Sequence, residues 1–370
     1  MAKHIYCHIP FCASKCPYCD FYSFPGMSCD VQEKVIESMI HEISRAEVNE
    51  SISTIYIGGG TPSYIPAELI VKLMTAIKEH FDVEEDAEIT IEVNPSSLTS
   101  DKAVQYRNIG INRASVGVQS LHDDILKTLG RIHDRAKAAE CINILKDAGF
   151  TNISADLIIA VPGQEMSDVL EDLDCLCELG VSHISTYSLS IEEGTPFYRL
   201  YNDVIEDIVP VDKEREMYHT LRRTLEEKGY HPYEISNASV TGFESRHNSS
   251  YWEGDEYYGF GPGSHGYIDS CRYKHGDDIE AYIADPVSTV TEEVMTEEDK
   301  MREYPFLKLR TSKGICIKAF EERFGMDPHE VFKDAITKNI DEGYLVEEDG
   351  YIHLTSSGID WCNKVSADFL

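Results

Sequence analysis

Basic side chains are scarce in this sequence. Its 370 residues hold 33 Lys and Arg against 66 Asp and Glu, a formal charge of −33. A surface of that sign repels nucleic-acid phosphates and anionic headgroups, which argues against both as general partners. Long apolar runs are missing as well: none approaches the roughly 20 residues that a membrane-spanning helix needs. The first residues, MAKHIYCHIP, show neither the charged flank and apolar core nor the cleavage site of a secretory signal. The eleven cysteines are therefore expected in a reducing cytoplasm and not in disulfides. Internal repeats and low-complexity tracts do not occur. One further shortage concerns chemistry. HIPFCASKCPYCDFYS, residues 8–23, supplies Cys12, Cys16 and Cys19 and then no fourth cysteine, although a four-coordinate metal wants four ligands.

Short β-rich runs are present in regular alternation with helical ones: HIYCHI at 4–9, ISTIYIGG from 52, EITIEVN from 88, NRASVGVQ from 112, NISADLII from 152 and SHISTYSLS from 182. Between most of them apolar residues recur at helical spacing, as in Val31, Val35, Met39 and Ile43. Six β-then-α units imply parallel strands with right-handed crossovers, an incomplete (β/α)6-type barrel of the α/β class. In such sheets reactive groups gather at the C-terminal ends of the strands. The expected division is a barrel over 1–235, an irregular connecting segment with a Gly-rich loop over 236–295, and a small helical, winged-helix-like domain over 296–370. In the last part, helices around 297–309 and 328–341 precede GYLVEEDGYIHLT, a hairpin pattern. With 16 acidic and 10 basic residues in 296–370, that unit is not expected to bind DNA.

Thiolates suit zinc, copper(I) and iron-sulfur clusters. A structural zinc would need a fourth ligand from Cys7, His8 or Cys29, none at a usual spacing. A [4Fe-4S] cluster on three thiolates leaves one iron without a protein ligand, an opening for a small molecule. Further polar or glycine positions follow successive strand ends: Gly58, Gly59, Gly60 and Thr61 in GGGTP, then Glu92, Gln119, Arg131 and Asp156. Taken singly, each polar residue is as well explained by the surface; together they encircle one mouth. Carboxylates, an amide and a guanidinium there complement a ligand that carries an ammonium, a carboxylate and hydroxyls.

The Cys-x3-Cys-x2-Cys spacing directly after a first strand, in a six-unit β/α chain, resembles the radical S-adenosylmethionine (SAM) superfamily. That resemblance implies that the open iron is chelated by SAM. The motifs YCHIPFC, CPYCDF, GGGTP, NRASVGVQS, DLIIAVPGQ, YEISN and GFGPGSHG are similar to the group that contains oxygen-independent coproporphyrinogen oxidase and the HemW haem chaperones. By the same resemblance Tyr6, Gly59, Gly60, Thr61, Glu92, Gln119, Arg131 and Asp156 line SAM, with Gly58, Tyr18 and Asp20 beside them.

Within the group, three features point to the chaperone branch. Phe21 stands where the oxidase has a fourth cysteine, only eleven residues precede Cys12, and RHNSSYW fits the HNxxYW pattern through His247, Asn248, Tyr251 and Trp252. Haem needs an axial ligand and aromatic surface, which those four residues would supply; the alternative is that His247 hydrogen-bonds in the barrel wall while Tyr251 and Trp252 pack. The resemblance therefore implies a cytoplasmic haem chaperone with a cluster, SAM and haem as cofactors. Its partners would be apo-haem proteins as recipients, with a haem-donor protein and a homodimer also allowed. The alternative is an oxidase that makes protoporphyrinogen IX by radical decarboxylation.

Overall fold

The six runs that read as strands are six neighbouring parallel strands: β1 (His4–Ile9), β2 (Ile52–Gly59), β3 (Val83–Val93), β4 (Arg113–Gln119), β5 (Asn152–Ile159) and β6 (His183–Ser188). The computed structural model describes residues 3–48 and 50–370. Helices α1 (Cys29–Arg45), α2 (Ala67–His80), α3 (Ser100–Asn108), α4 (Arg135–Asp147) and α5 (Met166–Glu178) lie in the crossovers. Their starts are fixed locally. Ser28, Thr99 and Asp134 accept from the backbone N–H three residues on, and Glu165 with Asp168 forms a capping box. The apolar stripe of α1, including Val35, Met39 and Ile43, is buried in one cluster with Ile5, Cys7, Ile9, Ile55 and Ile57 from the sheet.

Strand alternation decides the rest. Between those apolar positions stand Tyr6 and His8, Thr54 and Tyr56, Thr90 and Glu92, Arg113 and Ser115, Ser154 and Asp156, and Ser185 and Tyr187. A parallel sheet buried on both faces usually reads as nearly continuous apolar residues. Here the face turned away from the helices is polar, so the curved sheet encloses a polar lumen.

The segment expected to be irregular is not. Residues 236–295 hold β8 (Asn237–Ser239), β9 (Tyr257–Phe260), β10 (His265–Ile268), β11 (Cys271–His275) and β12 (Thr289–Val294). With β7 (His231–Pro232) they complete a twelve-stranded sheet in the order β12-β11-β10-β9-β1-β2-β3-β4-β5-β6-β8-β7. β9 runs parallel to β1, β10–β12 form an antiparallel meander beyond it, and β8 is antiparallel to β6. Glycine misled the reading because it marks close approach as well as turns. A Cβ on Gly259 would collide with the His265 carbonyl, and one on Gly266 with the Tyr273 ring.

The C-terminal unit follows the expected pattern, with one difference. Helices Glu297–Lys308 and Ile317–Phe324 accompany a three-stranded sheet in the order β13 (Ile315–Cys316), β15 (Tyr351–Leu354), β14 (Leu345–Glu348), whose last two strands form the hairpin. The helix expected at 328–341 is two, Pro328–Val331 and Lys333–Asp341, separated at Phe332. Asp349 and Gly350, at φ 50° and 80°, turn the hairpin in the left-handed region that a two-residue turn requires. Tyr304, Phe320, Phe332, Ile336 and Ile352 form a core of their own.

Candidate functional site

The cysteine triplet sits on the loop after β1, at the C-terminal rim of the barrel. Two backbone bonds tie GGGTP to this loop: Gly60 N–H donates to Ile9 O and Thr61 N–H to Phe11 O, both at 2.8 Å. Glycine is required there, since a Cβ on Gly60 would lie 2.8–3.0 Å from backbone atoms of Phe11 and Ile9. Gly59 has φ 109°, and its Cβ would meet the His8 ring at 2.6 Å.

Two of the sulfurs have donors directed at them. Thr61 Oγ1 donates to Cys12 Sγ at 3.4 Å, and Arg131 Nη1 donates to Cys16 Sγ at 3.6 Å. The other guanidinium arm, Nη2, is anchored on Gly117 O at 2.8 Å. Burial pushes the Cys12 and Cys19 thiols above the usual thiol range, a shift that a cation bound to the sulfurs would reverse. Among the described residues, no three His, Cys, Asp or Glu side chains stand together as a site for a single metal ion. Three thiols lining one cavity suit the three-thiolate [4Fe-4S] cluster that their spacing implies.

A cavity of about 420 Å³ runs from this rim into the lumen. Cys12, Cys16, Cys19, Tyr18, Asp20, Gly59, Gly60, Thr61, Glu92, Gln119, Arg131, Asp156 and Asn248 all line it. Tyr6 and Gly58 do not; Tyr6 lies behind the wall, stacked on Tyr56 and hydrogen-bonded to His8 Nδ1 at 2.9 Å. Glu92 accepts from Tyr56 OH at 2.8 Å and from Gly59 N–H at 3.0 Å, yet burial wins and its carboxyl is pushed up to about 7. Burial likewise raises Asp156, which accepts from Ser115 Oγ at 3.1 Å. Gln119 ends β4 at φ 67°, a left-handed backbone that a non-glycine adopts at a cost and that is typical of functional sites. The space for its amide comes from Gly117, whose Cβ would lie 3.0 Å from Gln119 Nε2.

The RHNSSYW segment has the contacts of the alternative, in which His247 hydrogen-bonds and Tyr251 and Trp252 pack. It is a helix, α6 (Arg246–Glu253), capped by Ser245 and ended by left-handed Gly254. His247 is 1 % exposed, and both ring nitrogens are taken, Nδ1 by Thr54 Oγ1 at 2.7 Å and Nε2 by Tyr251 OH at 2.9 Å. Its N–H donates to Glu88 Oε1 at 3.0 Å, and burial holds the imidazole well below its usual range, hence neutral. Tyr251 packs edge-on against Tyr257 of β9, and Trp252 lies under Arg310 of the C-terminal unit. Glu253 pairs with Lys308 and, through its carbonyl, with Arg323. The helix thus fastens the C-terminal unit to the barrel. Of the four residues, Asn248 alone lines the cavity.

Sequence reasoning missed Tyr56, Asn94, Arg113, Ser115, Tyr187 and Glu192, which also line the cavity. The available signal was period-two polarity within the strands: Arg113, Ser115, Gly117 and Gln119 alternate with Ala114, Val116 and Val118.

Three thiols on a loop after the first strand of a parallel β/α barrel, above a polar lumen, define a radical SAM protein. Residues 6–176 match the model of the Radical SAM superfamily, and residues 295–361 match that of the HemN C-terminal domain. The chain is 37 % identical to the heme chaperone HemW of Lactococcus lactis over 369 residues, covering 99 % of this chain and 96 % of that one. It is 35 % identical to the heme chaperone HemW of Bacillus subtilis over 378 residues, 100 % and 99 % of the two chains. The chain belongs to the HemW family. The solved structure of coproporphyrinogen III oxidase (HemN) from Escherichia coli, a radical SAM enzyme, superposes with a TM-score of 0.85 over 99 % of this chain and 89 % of that one. At 19 % identity it testifies to the fold alone.

Proposed function

We propose that this chain is a haem chaperone: it binds haem and passes it to apo-haem proteins, while Cys12, Cys16 and Cys19 hold a [4Fe-4S] cluster whose open iron takes SAM. The observation that carries this reading is end-to-end likeness, at 31–37 % identity, to proteins named as haem chaperones. The three thiols with Thr61 and Arg131 directed at two of them support the cluster. Glu92, Gln119, Arg131 and Asp156, gathered on one cavity, support SAM. When bound, cluster and SAM together supply one-electron chemistry or, in a chaperone, a gate on loading.

Phe21 separates this reading from the oxidase. It is 64 % exposed on the cysteine loop, apolar surface where the resemblance places a thiol in the decarboxylating enzyme. Both His247 nitrogens are engaged within the protein, so a ligand role for it requires one of those bonds to be given up. An anaerobic haem titration of the cluster-loaded chain, followed by absorbance, tests the proposal. One-to-one saturation and subsequent loss of haem to an apo-haem protein are expected. No specific binding, together with protoporphyrinogen formed from coproporphyrinogen under reducing conditions, would overturn it in favour of the oxidase.

A further inference from the structure

With the lumen assigned to SAM, haem needs a seat of its own: a space for a flat apolar ring that carries two carboxylates. The larger cavities outside the lumen differ in charge. At the N-terminal end of the barrel, about 650 Å³ is lined by Asp86, Glu88, Glu244, Glu253 and Asp255 against Arg246. Between α1 and strands β9–β12, about 290 Å³ is lined by Glu42, Glu47 and Asp269 against Arg45. Both linings are acidic on balance, which disfavours carboxylates. A third space, a groove of about 630 Å³, lies between the barrel edge and the C-terminal unit. That is within the range of about 300–1,000 Å³ that encloses small-molecule ligands. Its sign is reversed. Arg215, Arg310 and Lys364 line it against Asp360, in a chain of formal charge −33.

The three cations are not equally free. Arg215 is engaged by Glu214 and by Asp360, the latter at 3.2 Å. Arg310 lies over the rings of Trp252 and Phe306, and its Nη2 donates to Asn363 Oδ1 at 3.0 Å. Its Nε and Nη1 find no partner among the described residues and, unlike those of Arg113, are not closed off from water. Lys364 pairs with Glu342 at 3.3 Å, with 45 % of its side chain exposed. Beside it Trp361 is 51 % exposed, with Lys364 Nζ 5.4 Å from its ring centre. Ile235 and Ile359 extend the apolar surface of the groove.

We propose that haem is seated in this groove, its macrocycle against Trp361, Ile235 and Ile359 and its propionates on Arg310 and Lys364. A guanidinium with open N–H groups and an exposed ammonium both take carboxylates, and an indole face takes a flat ring. The proposal rests on the chaperone reading. Tyr187 and Ser188, at the end of β6, line both the groove and the lumen, so haem and SAM share one strand end as a partition.

Anaerobic haem titrations of the cluster-loaded chain, followed by absorbance, compare wild type with Trp361→Ala and Lys364→Glu, both at exposed positions. Each variant is expected to bind haem at least tenfold more weakly, with iron content and SAM affinity unchanged, and Trp361→Phe, which keeps a flat face, should restore binding. Haem dimethyl ester, whose propionates carry no charge, should bind wild type at least tenfold more weakly than haem and should not distinguish wild type from Lys364→Glu. Wild-type binding that neither Trp361→Ala nor Lys364→Glu weakens overturns this seat and leaves the chaperone reading standing. No specific binding to wild type overturns that reading and the seat with it.

Discussion

Glu92 should destabilise the fold that holds it, and by an amount that depends on pH. Its carboxyl moves from an ordinary 4.5 to about 7 because burial outweighs the donors Tyr56 and Gly59. Between those two values the folded chain binds a proton that the unfolded chain has released. Stability linked to Glu92 is therefore fully present below about pH 4.5 and is lost as pH rises through 7. At 1.36 kcal/mol per unit the full loss is about 3 kcal/mol, an upper bound because water in the cavity screens the charge. Glu92→Gln removes the titration. Gln cannot accept from both Tyr56 OH and Gly59 N–H, which costs about 1 kcal/mol at every pH. The mutant is then expected to be less stable than wild type at pH 5 and as stable or more stable at pH 8.5. Urea unfolding of both proteins without cofactors, at several pH values, measures the difference, and the change of that difference with pH isolates Glu92. Parallel stability–pH curves would refute the reasoning. SAM carries positive charge, so its affinity for wild type is expected to rise through the same window, and that rise should vanish in Glu92→Gln.

Cys12→Ala, Cys16→Ala or Cys19→Ala should each abolish the visible absorbance and iron content of the reconstituted protein. Cys7→Ala should keep both, since Cys7 is a fully buried core thiol, and should lose about 1 kcal/mol of stability. His247→Ala is expected to cost about 2–4 kcal/mol in denaturant unfolding, because it removes a buried ring and strands the Tyr251 hydroxyl, while Thr54 Oγ1 keeps His4 Nδ1 at 2.9 Å; unchanged haem affinity per folded molecule would show that His247 is not a ligand, and a clear loss would show that it is. Gly59→Ala forces a φ of 109° on alanine and drives its Cβ into the His8 ring. It should lower stability by about 2 kcal/mol and disrupt SAM binding measured by equilibrium dialysis.

How far the sequence disclosed this site depends on which periodicity each residue obeys. Ile5, Cys7 and Ile9, or Ile89, Ile91 and Val93, mark strands because every second residue must meet a helix, and the cysteines after β1 needed only their spacing. Arg113 escaped notice because a charge at the first position of a strand looks like a solvated strand end; only the closed barrel makes that position a floor. RHNSSYW is a different case. Three residue types suited to haem were read as one patch, but on a helix positions i and i+4 share a face while i+5 turns away. His247 and Tyr251 therefore bond to each other, and Trp252 faces Arg310. The resemblance supplied the motif; helix geometry assigns it to holding two units together.

The two faces of the sheet do opposite things to stability. Toward the helices, Ile55, Ile57, Ile91, Val116 and Leu157 are buried at 1 % exposure or less, and each contributes about 1.5–3 kcal/mol by leaving water. Toward the lumen, burial raises Glu92 and Asp156, lowers His183, and leaves Arg113 without partners at Nε and Nη1. That inner face is held in place by the outer one and is relieved only by what enters it. A cationic ligand of the lumen should then stabilise the fold by more than contact alone suggests, since it favours the charged form of Glu92. Thermal unfolding of the cluster-loaded protein with and without SAM, for wild type and Glu92→Gln at pH 8.5, reads this directly. The increment should be larger in wild type, because opposite charges attract strongly within one low-dielectric cavity. Equal increments in the two proteins would mean that Glu92 does not answer the charge of the ligand.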